Sequence, residues 1–189
     1  MGGFVISGNP WEKLQFGMKT DMAKITLVST GGTIEKVYDE SNGEMKNCGP
    51  QIEKNLSQLL RLPYCDLEFV SLMSKDSIFM DEHDRHKILE CLRNYQQLGN
   101  PIVVLHGTDT MEHTAQFCAQ FLDNPLVPVV FTGSMKPYGF HDSDAMQNVC
   151  EALLAAKFLN AGLYVVFHNH IFDASKVTKN RDKMTFETV

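Results

Sequence analysis

The segment VVLHGTDTMEHT (residues 103–114) ends an apolar run in two hydroxyls around one carboxylate, Thr108, Asp109 and Thr110, and then enters a helical pattern. A threonine hydroxyl is a poor nucleophile until something accepts its proton. A lysine accepts it near neutral pH only where burial or a nearby positive field lowers its pKa. Thr108, Asp109 and the distant Lys179 offer that combination, with the logic of a Ser-His-Asp relay and lysine in the place of histidine. A helix beginning here would also present unpaired backbone N–H groups to an oxyanion. The plainer alternative is a helix cap, in which Asp109 or Thr108 satisfies the first turn and nothing more. A further hydroxyl, Thr33, lies in TGGTI (30–34), where the glycine pair is equally a turn signal.

These residues need elements to bring them together. Apolar runs at 24–30, 66–73, 101–106, 128–134 and 162–168 have strand length and do not alternate. Helical spacing occupies 55–62, 81–99, 111–122 and 143–160, the second closed by Gly99 and the last capped by Ser143 or Asp142. Asn42-Gly43 centres a hairpin, with arms at Glu35–Tyr38 and Glu44–Asn47. Strands alternating with helices imply a parallel sheet covered on both faces, a three-layer α/β/α doubly wound domain with a β-hairpin near its N-terminus. Ligands bind such sheets outside the carboxyl ends of the strands. The segments that follow the five strands are TGGTI, SKDSIFM, HGTDT, TGSMKPYGF and HNHIFDASKVTK. Hydroxyls, glycines, one carboxylate and a late lysine are thus expected along one rim.

Composition excludes several classes of function. The 189 residues suffice for one domain with a sizeable core. A net charge of −6 leaves no basic surplus for nucleic acid or for an anionic membrane surface. No apolar run is long enough to span a bilayer. Five scattered cysteines form neither a disulfide framework nor a zinc pattern, which points to reduced thiols in a cytoplasmic setting. Residues 1–22 lack signal-peptide features and are set aside as an extension, leaving 23–189 as the one domain.

STGGTIE, HGTDTMEHTA, TGSMKPYGFHDSDAMQN and KVTK resemble the signature segments of bacterial-type L-asparaginases, in order and spacing, along residues 24–180. The resemblance implies hydrolysis of L-asparagine to L-aspartate and ammonia, with room for weak glutaminase activity and with neither metal nor organic cofactor. It assigns catalysis to Thr33, Tyr38, Thr108, Asp109 and Lys179. Thr33 would form an aspartyl ester, Tyr38 would assist it, and Thr108 with Lys179 would handle the proton or the incoming water; Thr108 is the alternative nucleophile. Substrate contacts fall to Gly32, Ser77, Gly107, Thr108, Asp109 and Ser134, with Asp109 and Ser77 gripping the α-ammonium and α-carboxylate. Typical members add a smaller second domain that lends an acidic residue to a neighbouring protomer. A sequence ending at Val189 is therefore expected to be a short, single-domain member that forms a homo-oligomer, a dimer or tetramer. The competing readings are an amidase for another small amide, an ammonia-supplying component of an amidotransferase and a non-catalytic amino-acid sensor.

The remaining polar residues are assigned plainer roles. His83 with His86, and His168 with His170, read as surface or rim histidines ahead of metal ligands, since no third ligand has a suitable spacing. His106 reads as a packed strand-end residue. Asp142 and Asp144 read as helix caps ahead of rim carboxylates. NLS (55–57) fits a glycosylation pattern without any sign of secretion.

Overall fold

The computed structural model describes residues 22–47, 53 and 60–189. In chain order its strands are β1 (Ala23–Ser29), β2 (Lys36–Asp39), β3 (Glu44–Asn47), β4 (Cys65–Ser71), β5 (Ile102–Leu105) and β6 (Pro128–Thr132). They continue with β7 (Gly162–Phe167), β8 (His170–Asp173), β9 (Val177–Asn180) and β10 (Thr185–Thr188). The helices are α1 (Glu82–Tyr95), α2 (Met111–Phe121) and α3 (Ala145–Phe158). One six-stranded sheet runs β4-β1-β5-β6-β7-β8, parallel except for β8. Two separate hairpins, β2–β3 and β9–β10, flank it.

The sheet is buried on both faces, which explains strands without polar alternation. Leu27, Val103, Leu105, Val130 and Val166 pack against Ala145, Val149, Ala152, Leu153 and Ala156 of α3. On the opposite face Val28, Val104, Val129, Phe131 and Val165 meet Ile88, Leu89 and Leu92 of α1 and Met111, Ala115 and Cys118 of α2. This is the three-layer doubly wound arrangement expected from the sequence. The alanine seam of α3 brings that helix close to the strands, and larger side chains there would overpack by about 1–3 kcal/mol.

Register fixes the rim. Ser29 lies opposite both Ser71 and Leu105, and Leu105 lies opposite Thr132. The segments after β1, β4, β5 and β6 therefore leave the sheet at one edge.

Several boundaries differ from the sequence reading. The first hairpin pairs from Lys36 to Asp39, not from Glu35 to Tyr38, because Thr33–Glu35 form a single 3-10 turn. Glu35 is buried there, with the Ser29 hydroxyl donating to its carboxylate. Helix 81–99 is α1 followed by a 3-10 turn, Gln96–Leu98, which Gly99 ends in the left-handed region (φ 75). The segment HNHIFDASKVTK is not one rim loop. It contains β8 and β9, and His168-Asn169 make the turn into β8 with φ 47 and 62. Two positive φ values suit the twist of a tight hairpin, but Asn-Gly is its usual sequence, so His-Asn carries no turn signal. The expected helix at 55–62 falls mostly, and the NLS triplet wholly, outside the described residues, as do residues 1–21.

Cys65, Cys91 and Cys118 are buried free thiols and Cys150 is exposed. Burial pushes Cys91 up to about 11 and Cys118 to about 12, which leaves both as inert thiols. Among the described residues, no helix is long and apolar enough to cross a membrane.

Candidate active site

Glycines allow three rim loops to interlock. Gly32 has φ 87, and a Cβ on it would lie 2.4 Å from Gly107 Cα. A Cβ on Gly107 would in turn lie 2.5 Å from Ser77 Oγ. The Thr33 loop therefore rests on the Gly107-Thr108 loop, and that loop rests on the Ser77 loop. Thr110 Oγ1 adds a hydrogen bond to the Ser77 carbonyl (2.8 Å).

Lys179 comes to this point from β9. Its side chain is 6% exposed, and its Nζ donates to Thr108 Oγ1 (2.9 Å) and to Asp109 Oδ1 (2.7 Å). The Glu112 carboxylate accepts the Lys179 backbone N–H and pins β9 to the first turn of α2. Thr108 is buried, and its hydroxyl faces the Met135 sulfur at 3.5 Å, a weak acceptor that leaves the proton available. The simple capping alternative does not describe these residues. Thr110 occupies the N-cap of α2 and makes no side-chain cap bond. Thr108 and Asp109 engage Lys179 instead.

Thr33 is half-buried at the start of its 3-10 turn, and its hydroxyl has no hydrogen-bond partner among the described residues. Tyr38 stands apart. It is 58% exposed on the hairpin, with its hydroxyl beside Gly43 in the hairpin's own turn. A Lys36–Asp76 ion pair (2.6 Å) ties the base of that hairpin to the Ser77 loop. Ser77 itself is fully buried, and its Oγ lacks a partner among the described residues. Ser134 spends its hydroxyl on the Lys136 carbonyl (2.5 Å), so only its backbone is free to face a ligand.

His106 is fully buried directly behind Gly107. Its Nδ1–H donates to the Gly107 carbonyl (2.8 Å), and burial, with the Arg85 charge adding, pushes its pKa down to about 4. The neutral ring thus belongs to the folded state, while the unfolded chain binds a proton below about 6.5. The sign follows: this stability is complete above pH 6.5 and is lost as pH falls toward 4, about 3 kcal/mol in all. Urea midpoints should fall across that window, and His106→Asn should flatten the fall. Glu35, whose pKa burial raises, acts in the opposite direction and is common to both proteins. An equal fall in both would remove His106 as the cause.

The expected caps of α3 need correction. Ser143 Oγ does accept the Ala145 N–H (3.1 Å), but Asp142 is an exposed partner of Lys136. The Asp144 carboxylate makes no cap bond and accepts instead the backbone N–H groups of Met135 and Lys136. His168 is neither a free rim residue nor part of a metal cluster, since its Nε2 lies 3.0 Å from Asp144 Oδ2. Among the described residues no group of three potential ligands could hold a metal ion. Glu112, Met135 and the Asp144–His168 pair were not singled out as site residues from sequence. Only Glu112 carried a usable signal, four residues after Thr108 in the first turn of α2.

Comparison with known proteins places the chain in a family. The family profile "Asparaginase, N-terminal" matches residues 24–188. The chain belongs to the asparaginase family. An L-asparaginase of Thermococcus kodakarensis is 30% identical over 156 residues, 82% of this chain and 47% of that protein. One component of the glutamyl-tRNA(Gln) amidotransferase of Methanococcus vannielii is 27% identical over 88% of this chain and 39% of its own length. Among solved structures, the thermostable L-asparaginase of Thermococcus kodakarensis superposes with a TM-score of 0.79 at 28% identity, covering 88% of this chain and 51% of that one. The chain spans about half the length of these relatives or less. The matched region is the N-terminal domain of that family.

Proposed function

We propose that residues 23–189 form a catalytic domain that hydrolyses L-asparagine to L-aspartate and ammonia, with glutamine a slower substrate. The observation that supports this reading best is the buried Lys179 Nζ between Thr108 and Asp109, beside a loop carrying the uncommitted Thr33 hydroxyl. Thr33 attacks the side-chain amide carbon, ammonia leaves, and water cleaves the resulting aspartyl ester. Thr108 and Lys179 carry the proton between the attacking oxygen and the leaving group. The Thr108 backbone N–H faces the developing oxyanion, a contribution commonly of about 3–4 kcal/mol. Asp109, half open to solvent, receives the α-ammonium. Tyr38 joins when the hairpin closes over the substrate. An assembly of like chains completes the mouth of the site.

Ammonia release from asparagine and from glutamine, measured without any partner protein, tests the proposal. Release from asparagine exceeding that from glutamine is expected. The likeness to a component of an amidotransferase favours a second reading, in which the ammonia passes to a partner enzyme. Release from glutamine alone, or only after a partner is added, would favour it. Binding of asparagine without release would make the domain a sensor.

A further inference from the structure

Asp144 opens α3, yet its carboxylate caps no backbone N–H of that helix. Its carboxylate accepts the backbone N–H groups of Met135 (3.0 Å) and Lys136 (3.1 Å), the Asn148 amide (2.9 Å) and His168 Nε2 (3.0 Å). A carboxylate only accepts here, so Nε2 carries a proton, while Nδ1 lies 3.0 Å from the Thr185 hydroxyl. The backbone at this point is costly. His168 and Asn169 both have positive φ, a region that asparagine tolerates but that histidine adopts at a cost unless its surroundings hold it there. Those surroundings are visible. The His168 N–H donates to Asn148 Oδ1 (3.1 Å) and the Asn169 N–H to Glu151 Oε2 (2.7 Å).

The two ends of this chain of bonds meet again at one atom. Met135, held by Asp144, presents its sulfur to Thr108 Oγ1 at 3.5 Å. Thr185, held by His168, pairs with Asn180 on the hairpin whose Lys179 reaches the same Thr108 oxygen at 2.9 Å. We propose that Asp144 and His168 are positioning residues: together they fix the Ser134–Lys136 loop against the β9–β10 hairpin and so set the geometry around Thr108 Oγ1. The inference rests on the proposed hydrolysis for its kinetic consequence and on geometry alone for the bridge.

The test uses Asp144→Asn, Thr185→Val and His168→Asn, the last because asparagine tolerates positive φ and so removes the imidazole without adding backbone strain. Each is expected to lower kcat roughly ten- to hundredfold with KM changed less than about twofold, as displacement of reacting groups does. In the unaltered background Asp144→Asn and Thr185→Val should be coupled, the double variant being little worse than the poorer single one. In the His168→Asn background their effects should become additive. Additivity in both backgrounds would overturn the proposal. Thr185 is only half-buried, so Thr185→Val folds even where Asp144→Asn does not. Amide hydrogen exchange needs no turnover. Thr185→Val should speed exchange at the Met135 and Lys179 amides together, about tenfold. Faster exchange at Lys179 alone would break the bridge. An unaltered protein that releases no ammonia would sink the hydrolysis while the exchange result still decided the bridge.

Discussion

Lys179→Met is expected to lower the turnover of asparagine by on the order of 10²–10⁴-fold, the usual share of a positioned proton carrier, while the melting temperature stays close to that of the unaltered protein. Methionine follows the same buried path from β9, so the packing around the stem is kept. What disappears is the Nζ that joins Thr108 Oγ1 to Asp109. Removing one member of a buried ion pair is usually severe, because the other charge is left without water. Here Asp109 is 46% exposed and stays hydrated. The anchoring of β9 also survives, since Glu112 holds the Lys179 backbone and not its side chain. Lost activity with a preserved melting temperature would mark a chemical role. A large drop in melting temperature would mark a structural one. Retained turnover would remove Lys179 from the reaction.

Thr33→Ala is expected to cost more, on the order of 10⁴-fold or above, as removal of a nucleophile does. The fold has little reason to notice it. The Thr33 hydroxyl bonds nothing among the described residues, and the neighbouring turn is held by Gly32 and by the backbone bond from Glu35 N–H to the Gly32 carbonyl (3.1 Å). Thr108→Ala differs in kind, because it strips a partner from Lys179 and a neighbour from Met135. Comparing the two separates the attacking hydroxyl from the relay. Far-ultraviolet circular dichroism identical to the unaltered protein, with ammonia release reduced to background, is the expected result for Thr33→Ala. Release within tenfold of the unaltered rate would transfer the role to Thr108.

The rim of the sheet was legible because local signals set it. Apolar runs marked the five parallel strands, and the glycines and hydroxyls after them showed which edge would carry chemistry. Asn42-Gly43 marked the first hairpin, and Gly43 indeed sits at φ 71. Long-range pairing was not legible. Lys179 lies 71 residues from Thr108, and nothing in its neighbourhood announces the strand pairing that delivers its amine. β8 escaped notice because His168-Asn169 reaches a glycine-like backbone through side-chain bonds from α3 and not through residue type. Asp144 looked like a cap because capping depends on neighbours in sequence, whereas two of its partners, Met135 and His168, lie 9 and 24 residues away. Tyr38 was assigned through the family resemblance, and the structure leaves it exposed on the hairpin.

Rapid acid quenching of the protein during turnover of asparagine, followed by mass spectrometry of its peptides, tests the central claim most directly. An added aspartyl group on the peptide that carries Thr33, absent from Thr33→Ala, is the expected result. An aspartyl group on the Thr108 peptide, or steady ammonia release with no acylated peptide at any quench time, would contradict it.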